Sequence, residues 1–284
     1  MTDEVARDQP KAIRANPTPY ARLNTVLAEL VANVQAILGS NLIGFYLQGS
    51  FAVGDFDEHS DLDFIAVIRQ ALSAAQVSAL RVLHHDIYYQ PITWAQHLEG
   101  SYFPQAMLRD YHQSGRDLWY VDHGSQELER STHCNTIVVR WTLREYGIPL
   151  VGPEAATLID PIPTAALRQE VLATINDWGQ DILTHADHYN NRFYQAFIVL
   201  NYCRMLQTIH TGTLTSKRAG AEWFKATMDP SWSDLVDRAW SGRPDPARSV
   251  YTRADPVDFA RTLTFLEYAI TAANDTMAVE SPEA

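Results

Sequence analysis

The chain is poor in several things, and each shortage excludes a class of protein. It has two cysteines in 284 residues, Cys134 and Cys203. Two thiols far apart cannot build a disulfide framework, and neither has a partner at metal-ligand spacing. A reducing cytoplasm is the expected compartment. Positive charge is also short: 22 Lys and Arg stand against 34 Asp and Glu, a formal charge of -12. Phosphate backbones are bound by basic surfaces, so no nucleic-acid partner is expected. The sequence shows no apolar run of bilayer length, so no membrane segment is expected. Its first stretch, MTDEVARDQPKAIRANP, is polar and mixed in charge, unlike a secretory leader. Low-complexity segments and internal repeats are missing too. What is left is ordinary globular composition, 46% hydrophobic and 20% charged, in a chain long enough for one large domain or two modest ones.

The pattern of what is present changes along the chain. Residues 19–38 carry Leu23, Val26, Leu27, Leu30, Val31, Val34 and Leu38 at helical spacing, ended by Gly39-Ser40. LIGFYLQ (42–48) and DLDFIAVI (61–68) are short apolar runs that read as buried strands, and 72–87 reads as a helix. From about residue 165 the apolar spacing is helical throughout. Between the two regimes lies LVGPEAATLIDPIPT, whose Pro153, Pro161 and Pro163 interrupt any regular element. These features predict an N-terminal α+β domain with a mixed sheet over 1–160, followed by an all-α helical bundle over 161–284.

The most informative stretch is GSFAVGDFDEHSDLDFIAV, residues 49–67. In a strand, residues i and i+2 share a face, so Asp61 and Asp63 project together while Leu62 points to the core. Two bare carboxylates this close repel each other. A divalent cation relieves the repulsion, and hard oxygen ligands suit Mg²⁺. Upstream, Gly49-Ser50 follows a strand where a helix can begin; glycine permits close backbone approach, and free amides of the next turn bind anions. Each half is weak alone. Joined in the order strand, Gly-Ser, spacer, Asp-x-Asp, strand, they suggest a site for a Mg²⁺–nucleoside triphosphate.

That order resembles the signature of the DNA-polymerase-β-like nucleotidyltransferase superfamily, matched by Gly49, Ser50, Asp61 and Asp63. The second half narrows the resemblance. YGIPLVGPEAATLIDPIP (146–163) and IVLNYCRMLQTIHTGTLTSKRAGAEWF (198–224) resemble aminoglycoside adenylyltransferases of the streptomycin/spectinomycin type. The matching residues are Arg204, Thr211-Gly212, Ser216-Lys217 and Ala221-Glu222-Trp223. The resemblance implies that ATP is the co-substrate and that Arg204 and Lys217 hold its triphosphate. It also implies an aromatic beside the adenine, matched by Trp240, and an active site in the cleft between the domains. Helix physics supports Lys217 independently. Gly212 ends one helix and Thr215 or Ser216 caps the next, so Lys217 and Arg218 stand against the helix dipole, which a polyanion would relieve.

Superfamily enzymes need a third carboxylate near the pair, as metal ligand or general base. Asp86, in HHDIYY, and Glu99, in QHLEGSYFP, are the candidates. Asp86 follows a helical stretch, whereas Glu99 opens an aromatic-rich strand and matches the family's Leu-Glu. Glu99 is therefore assigned as the third metal ligand and base. His84-His85 read as surface, Trp119-Tyr120 and Trp141 as core, and His185, Asp187 and His188 as a polar helix surface rather than a metal site. The expected activity is transfer of AMP to a hydroxyl of a small, cationic acceptor by a monomeric enzyme. Trp178, Asp181 and Asp187 are of suitable type to meet that acceptor. The alternatives are a nucleotidyltransferase acting on another hydroxylated metabolite or on a protein, and a non-catalytic nucleotide-binding module.

Overall fold

The structure is a computed structural model that describes residues 12–57, 60–243 and 249–280. The chain forms two compact units, one holding the described residues up to Phe56 together with Ser60–Pro161, the other running from Ile162 onward.

The first unit is a six-stranded mixed sheet with helices. Its elements are α1 (Ala21–Leu38), β1 (Leu42–Leu47), α2 (Gly49–Val53), β2 (Leu62–Ile68), α3 (Ala74–Tyr88), β3 (Leu98–Pro104), α4 (Gln105–Arg109), β4 (Leu118–Val121), β5 (Leu128–Ser131), α5 (Ile137–Tyr146) and β6 (Ile148–Val151). The strand order is β5-β4-β3-β2-β1-β6. Only β2 and β3 pair in parallel; the remaining neighbours are antiparallel. The helix α3 between β2 and β3 supplies the crossover that a parallel pair requires. Every residue of β1 is buried, and β2 is buried except at Asp63. Near-continuous apolar strands of this kind belong to the middle of a sheet covered on both faces.

By length and composition, Ala21–Asn41 is long and apolar enough to cross a membrane, which corrects the sequence reading that no such run exists. In the fold this segment is α1 and the short 3-10 turn Gly39–Asn41 that follows it. Its Leu23, Val26, Leu27, Leu30, Val31, Val34 and Leu38 are buried in the core cluster with Phe45, Phe64 and Leu80. A second correction concerns His84. It is not on the surface: it lies 3% exposed on α3, stacks against Phe64, and bonds through Nε2 to the Tyr102 hydroxyl at 2.8 Å. Burial pulls its pKa down to about 4. Its neighbour His85 is exposed, as expected.

The second unit contains α6 (Thr164–Thr184), the short α7 (Ala186–Tyr189), α8 (Arg192–Thr211), α9 (Lys217–Thr227), α10 (Ser233–Gly242) and α11 (Pro256–Glu280). Helix α8 is its centre: Ala196, Ile198, Val199, Leu200, Tyr202, Cys203, Leu206 and Ile209 are buried around its circumference. A helix apolar on several sides is enclosed by others. The Tyr202 hydroxyl donates to the Ile175 carbonyl of α6 at 2.9 Å, and Asn274 of α11 donates to Asn176 of α6 at 2.9 Å.

Candidate active site

The parallel pairing of β2 and β3 builds a carboxylate cluster in the first unit. Its register sets Asp63 directly beside Glu99. Side chains at paired positions of parallel strands share a face, so these carboxylates are neighbours. Asp61 lies one residue before β2, and Leu62 between the aspartates is fully buried while both aspartates are partly accessible. Two backbone bonds fix this edge: Leu62 donates to the His97 carbonyl at 2.8 Å, and Gln48 donates to the Asp63 carbonyl at 3.0 Å.

The second of those bonds ties β2 to the turn carrying Gly49-Ser50. Gly49 opens α2 with φ of 62°, a left-handed conformation that favours glycine. A Cβ added there would meet the Asp63 Oδ2 at 1.8 Å. The turn and the carboxylate thus occupy adjoining space, and only glycine permits it. The Ser50 Oγ is buried without a hydrogen-bond partner. Such a group is costly to leave unmade and is ready for an oxygen ligand.

Glu99 is held from β4 and from the loop after β5. The Tyr120 hydroxyl lies 3.0 Å from the Glu99 Oε1 and 2.7 Å from the Asp122 Oδ1. The His133 Nε2 reaches the same Glu99 Oε1 at 3.3 Å, and the Cys134 thiol lies 4.0 Å from it. The bond to Glu99 raises the His133 pKa. Burial, with the negative charge of Glu99 adding to it, raises that of Tyr120. Burial likewise pushes the Cys134 thiol up to about 12, so it stands protonated at neutral pH. Sequence reasoning missed His133, Cys134 and Asp122 and gave Tyr120 only a core role. Their convergence comes from the β3–β4 pairing, Ser101 with Tyr120 and Gly100 with Val121, which no local pattern announces. Asp86, the other candidate, is exposed near the end of α3 beside His85.

Among the described residues no group of three or more His, Cys, Asp or Glu side chains is drawn together closely enough to hold a metal. Mg²⁺ is commonly held by one or two carboxylates plus substrate phosphates rather than by an all-protein cage. The hard-oxygen donors Asp61 and Asp63, the Cβ-free space at Gly49 and the unpartnered Ser50 Oγ fit that mode of binding.

In the second unit Arg204 lies on α8, and Lys217, at the start of α9, packs on Phe197 of α8. Ser216 caps α9 by accepting from the Ala219 amide at 3.0 Å, which puts Lys217 and Arg218 in its first turn. Helices α8 and α9 cross in close contact, because a Cβ on Gly220 would meet the Arg204 Cα at 2.6 Å. Arg204 donates to the Asn201 Oδ1 at 2.9 Å, and the Lys217 Nζ lies 4.7 Å from the Phe197 ring centre. Phe197, Asn201 and Arg204 follow helical spacing along α8. Trp240 is half-buried on α10, with the guanidinium groups of Arg218 and Arg243 at 5.0 and 4.4 Å from its ring centre. Of the suggested acceptor residues, Trp178 stacks on Tyr202 at 5.4 Å. Asp181 accepts from Tyr189 and from His185. Asp187 lies on α7. A cavity of about 540 Å³ in the same unit is lined by Arg192, Gln195, Arg238, Arg253, Asp255 and Asp258 among others. None of the sequence-predicted site residues lines it, and Arg238 and Asp258 satisfy each other at 2.9 Å.

Known proteins resemble this chain in sequence and in fold. The family described as aminoglycoside adenylyltransferase, C-terminal domain, matches residues 157–261. A spectinomycin 9-adenylyltransferase of Staphylococcus aureus is 22% identical over 228 residues, covering 74% of this chain and 80% of its own length. An aminoglycoside (3'')(9) adenylyltransferase of Klebsiella pneumoniae is 24% identical over 265 residues, covering 84% of this chain and 92% of its own. The fold is similar to the crystal structure of spectinomycin adenyltransferase AAD(9) from Enterococcus faecialis with ATP and spectinomycin. That similarity has a TM-score of 0.63 at 14% identity and covers 88% of this chain and 98% of the other. Sequence and fold are thus both similar to those of aminoglycoside adenylyltransferases.

Proposed function

We propose that the protein transfers AMP from ATP to a hydroxyl of an aminoglycoside-type antibiotic, releasing pyrophosphate, and so confers resistance. The observation that carries this reading is the pairing of Asp63 with Glu99 across β2 and β3, with Gly49 abutting the Asp63 carboxylate. Asp61 and Asp63 would hold Mg²⁺ with the nucleotide's phosphates, and Glu99 is the candidate third ligand. When bound, the ion neutralises phosphate charge and polarises the phosphorus under attack. Gly49 and Ser50 offer a backbone amide and a hydroxyl to phosphate oxygens. Arg204 and Lys217 offer a cationic face to the triphosphate. Trp240 supplies an aromatic surface for the adenine. Glu99 accepts the proton from the acceptor hydroxyl as it attacks the α-phosphorus. The residues thus position the reactants and balance charge, which is most of what a phosphoryl-type transfer asks of a protein.

Spectinomycin is the acceptor favoured by the relatives, two of which carry it in their names. The charge of -12 suits a cationic acceptor and disfavours nucleic acid. A monomer in the cytoplasm is the working assignment. The test is an acceptor panel of spectinomycin, streptomycin and uncharged polyols, incubated with ATP and Mg²⁺ and read by mass spectrometry. An adenylylated aminoglycoside is the expected product. Adenylylation of a polyol alone would move the assignment to another metabolite, and no product from any acceptor would refute the transferase reading.

A further inference from the structure

Glu99 has a supporting arrangement that the reaction as described does not use. Its neighbours come from three directions: Asp63 on β2, Tyr120 and Asp122 on or just beyond β4, and His133 and Cys134 after β5. The two strongest contacts, from the Tyr120 hydroxyl at 3.0 Å and the His133 Nε2 at 3.3 Å, fall on the same oxygen, Oε1. Among the described residues no hydrogen bond takes Oε2. The Tyr120 hydroxyl has a single proton and two carboxylate acceptors in reach, Glu99 and Asp122, so it satisfies one at a time. His133 gives Oε1 a second, independent donor.

We infer that Tyr120 and His133 are positioning residues for Glu99, which fix its Oε1 and thereby present Oε2 to the reacting hydroxyl. The inference rests on the reading of Glu99 as the proton acceptor. Asp122 competes for the Tyr120 proton, at 2.7 Å against 3.0 Å to Glu99, so the His133 Nε2 is the donor that Glu99 does not share with it. Tyr120 and His133 act through Glu99, whose Oε1 both contact. Their effect is on the orientation of a carboxylate that would otherwise rotate about its terminal bonds, and small losses of orientation cost rate more than binding.

The experiment is a double-mutant cycle in single-turnover AMP transfer to spectinomycin at saturating Mg²⁺–ATP. Tyr120→Phe and His133→Ala are each made alone and in a Glu99→Gln background, and calorimetric ATP binding reports that each variant is folded. Each single substitution is expected to slow the chemical step about tenfold to a hundredfold, the usual cost of losing an outer partner of a site ligand. KM for both substrates is expected to stay within about twofold, as for an interaction that matters only in the transition state. His133→Gln, which keeps a donor, is expected to recover most of the rate. In the Glu99→Gln background neither substitution should slow the reaction further, because both act through Glu99. Wild-type rates in Tyr120→Phe and His133→Ala, or an undiminished loss in the Glu99→Gln background, would overturn the inference. A Glu99→Gln enzyme as fast as wild type would instead overturn the reading of Glu99 on which it rests.

Discussion

At the scale of single residues, the site depends on one missing atom. Gly49 has no Cβ, and the Asp63 carboxylate occupies that space, 1.8 Å from where a Cβ would stand. Gly54 makes a useful comparison. It also has positive φ, 76°, but nothing lies within 4 Å of its would-be Cβ. An alanine at either position incurs backbone strain of about 1–2 kcal/mol. Only alanine at 49 must also displace Asp63. Gly49→Ala is therefore expected to lose AMP transfer by at least about tenfold, since misplaced reacting groups cost that much and more. Gly54→Ala should lose comparable stability and keep its activity. Equal activity in the two variants, measured beside their thermal midpoints, would show that Asp63 does not need its present position. The Gly-Ser and Asp-x-Asp pattern was legible because both halves are local. Tyr120 and His133 were not, since their meeting with Glu99 joins residues 21 and 34 positions away, through strand pairing alone.

At the scale of elements, helix α3 is expected to carry a pH dependence and helix α9 to bear on nucleotide binding. His84 faces the core from α3, and burial holds its pKa near 4 against an ordinary 6.5. Between those values the unfolded chain binds the proton and the folded chain does not, so stability falls as pH drops from about 6.5 toward 4. The full effect is about 3 kcal/mol, at roughly 1.4 kcal/mol per pKa unit. His84→Gln keeps a polar partner for Tyr102 without titrating, and its denaturant midpoint should fall less steeply over the same range. Parallel curves for the two proteins would assign the acid sensitivity elsewhere. Helix α9 starts with two cations, Lys217 and Arg218, directed against its dipole. Lys217→Ala should weaken Mg²⁺–ATP binding by calorimetry and leave spectinomycin binding nearly unchanged; an unaltered ATP affinity would make Lys217 a surface residue. The elements were legible to different degrees. Helix α1 and strands β1, β2 and β3 declare themselves by apolar spacing and length. Strands β4, β5 and β6 have four residues each, too few for a period to emerge. His84 was misread because its neighbour His85 is exposed and a lone pair of histidines carries no sign of which one faces the core.

At the scale of the whole molecule, this chain resembles adenylyltransferases in sequence at only 22–24% identity. The similarity in fold survives at 14% identity, which is the expected behaviour of an architecture set by apolar patterning while surface residues drift. Function follows from the site rather than the fold, so the carboxylates of β2 and β3 decide the matter. The most direct test incubates the full chain with ATP labelled at the α-phosphate, Mg²⁺ and spectinomycin, beside a folded Asp63→Asn variant. In the wild type the label is expected to move onto spectinomycin with release of unlabelled pyrophosphate, and in Asp63→Asn the transfer should vanish, because an amide cannot neutralise a metal ion's charge. Label that stays on the nucleotide in the wild type, or moves equally well in Asp63→Asn, would contradict the account.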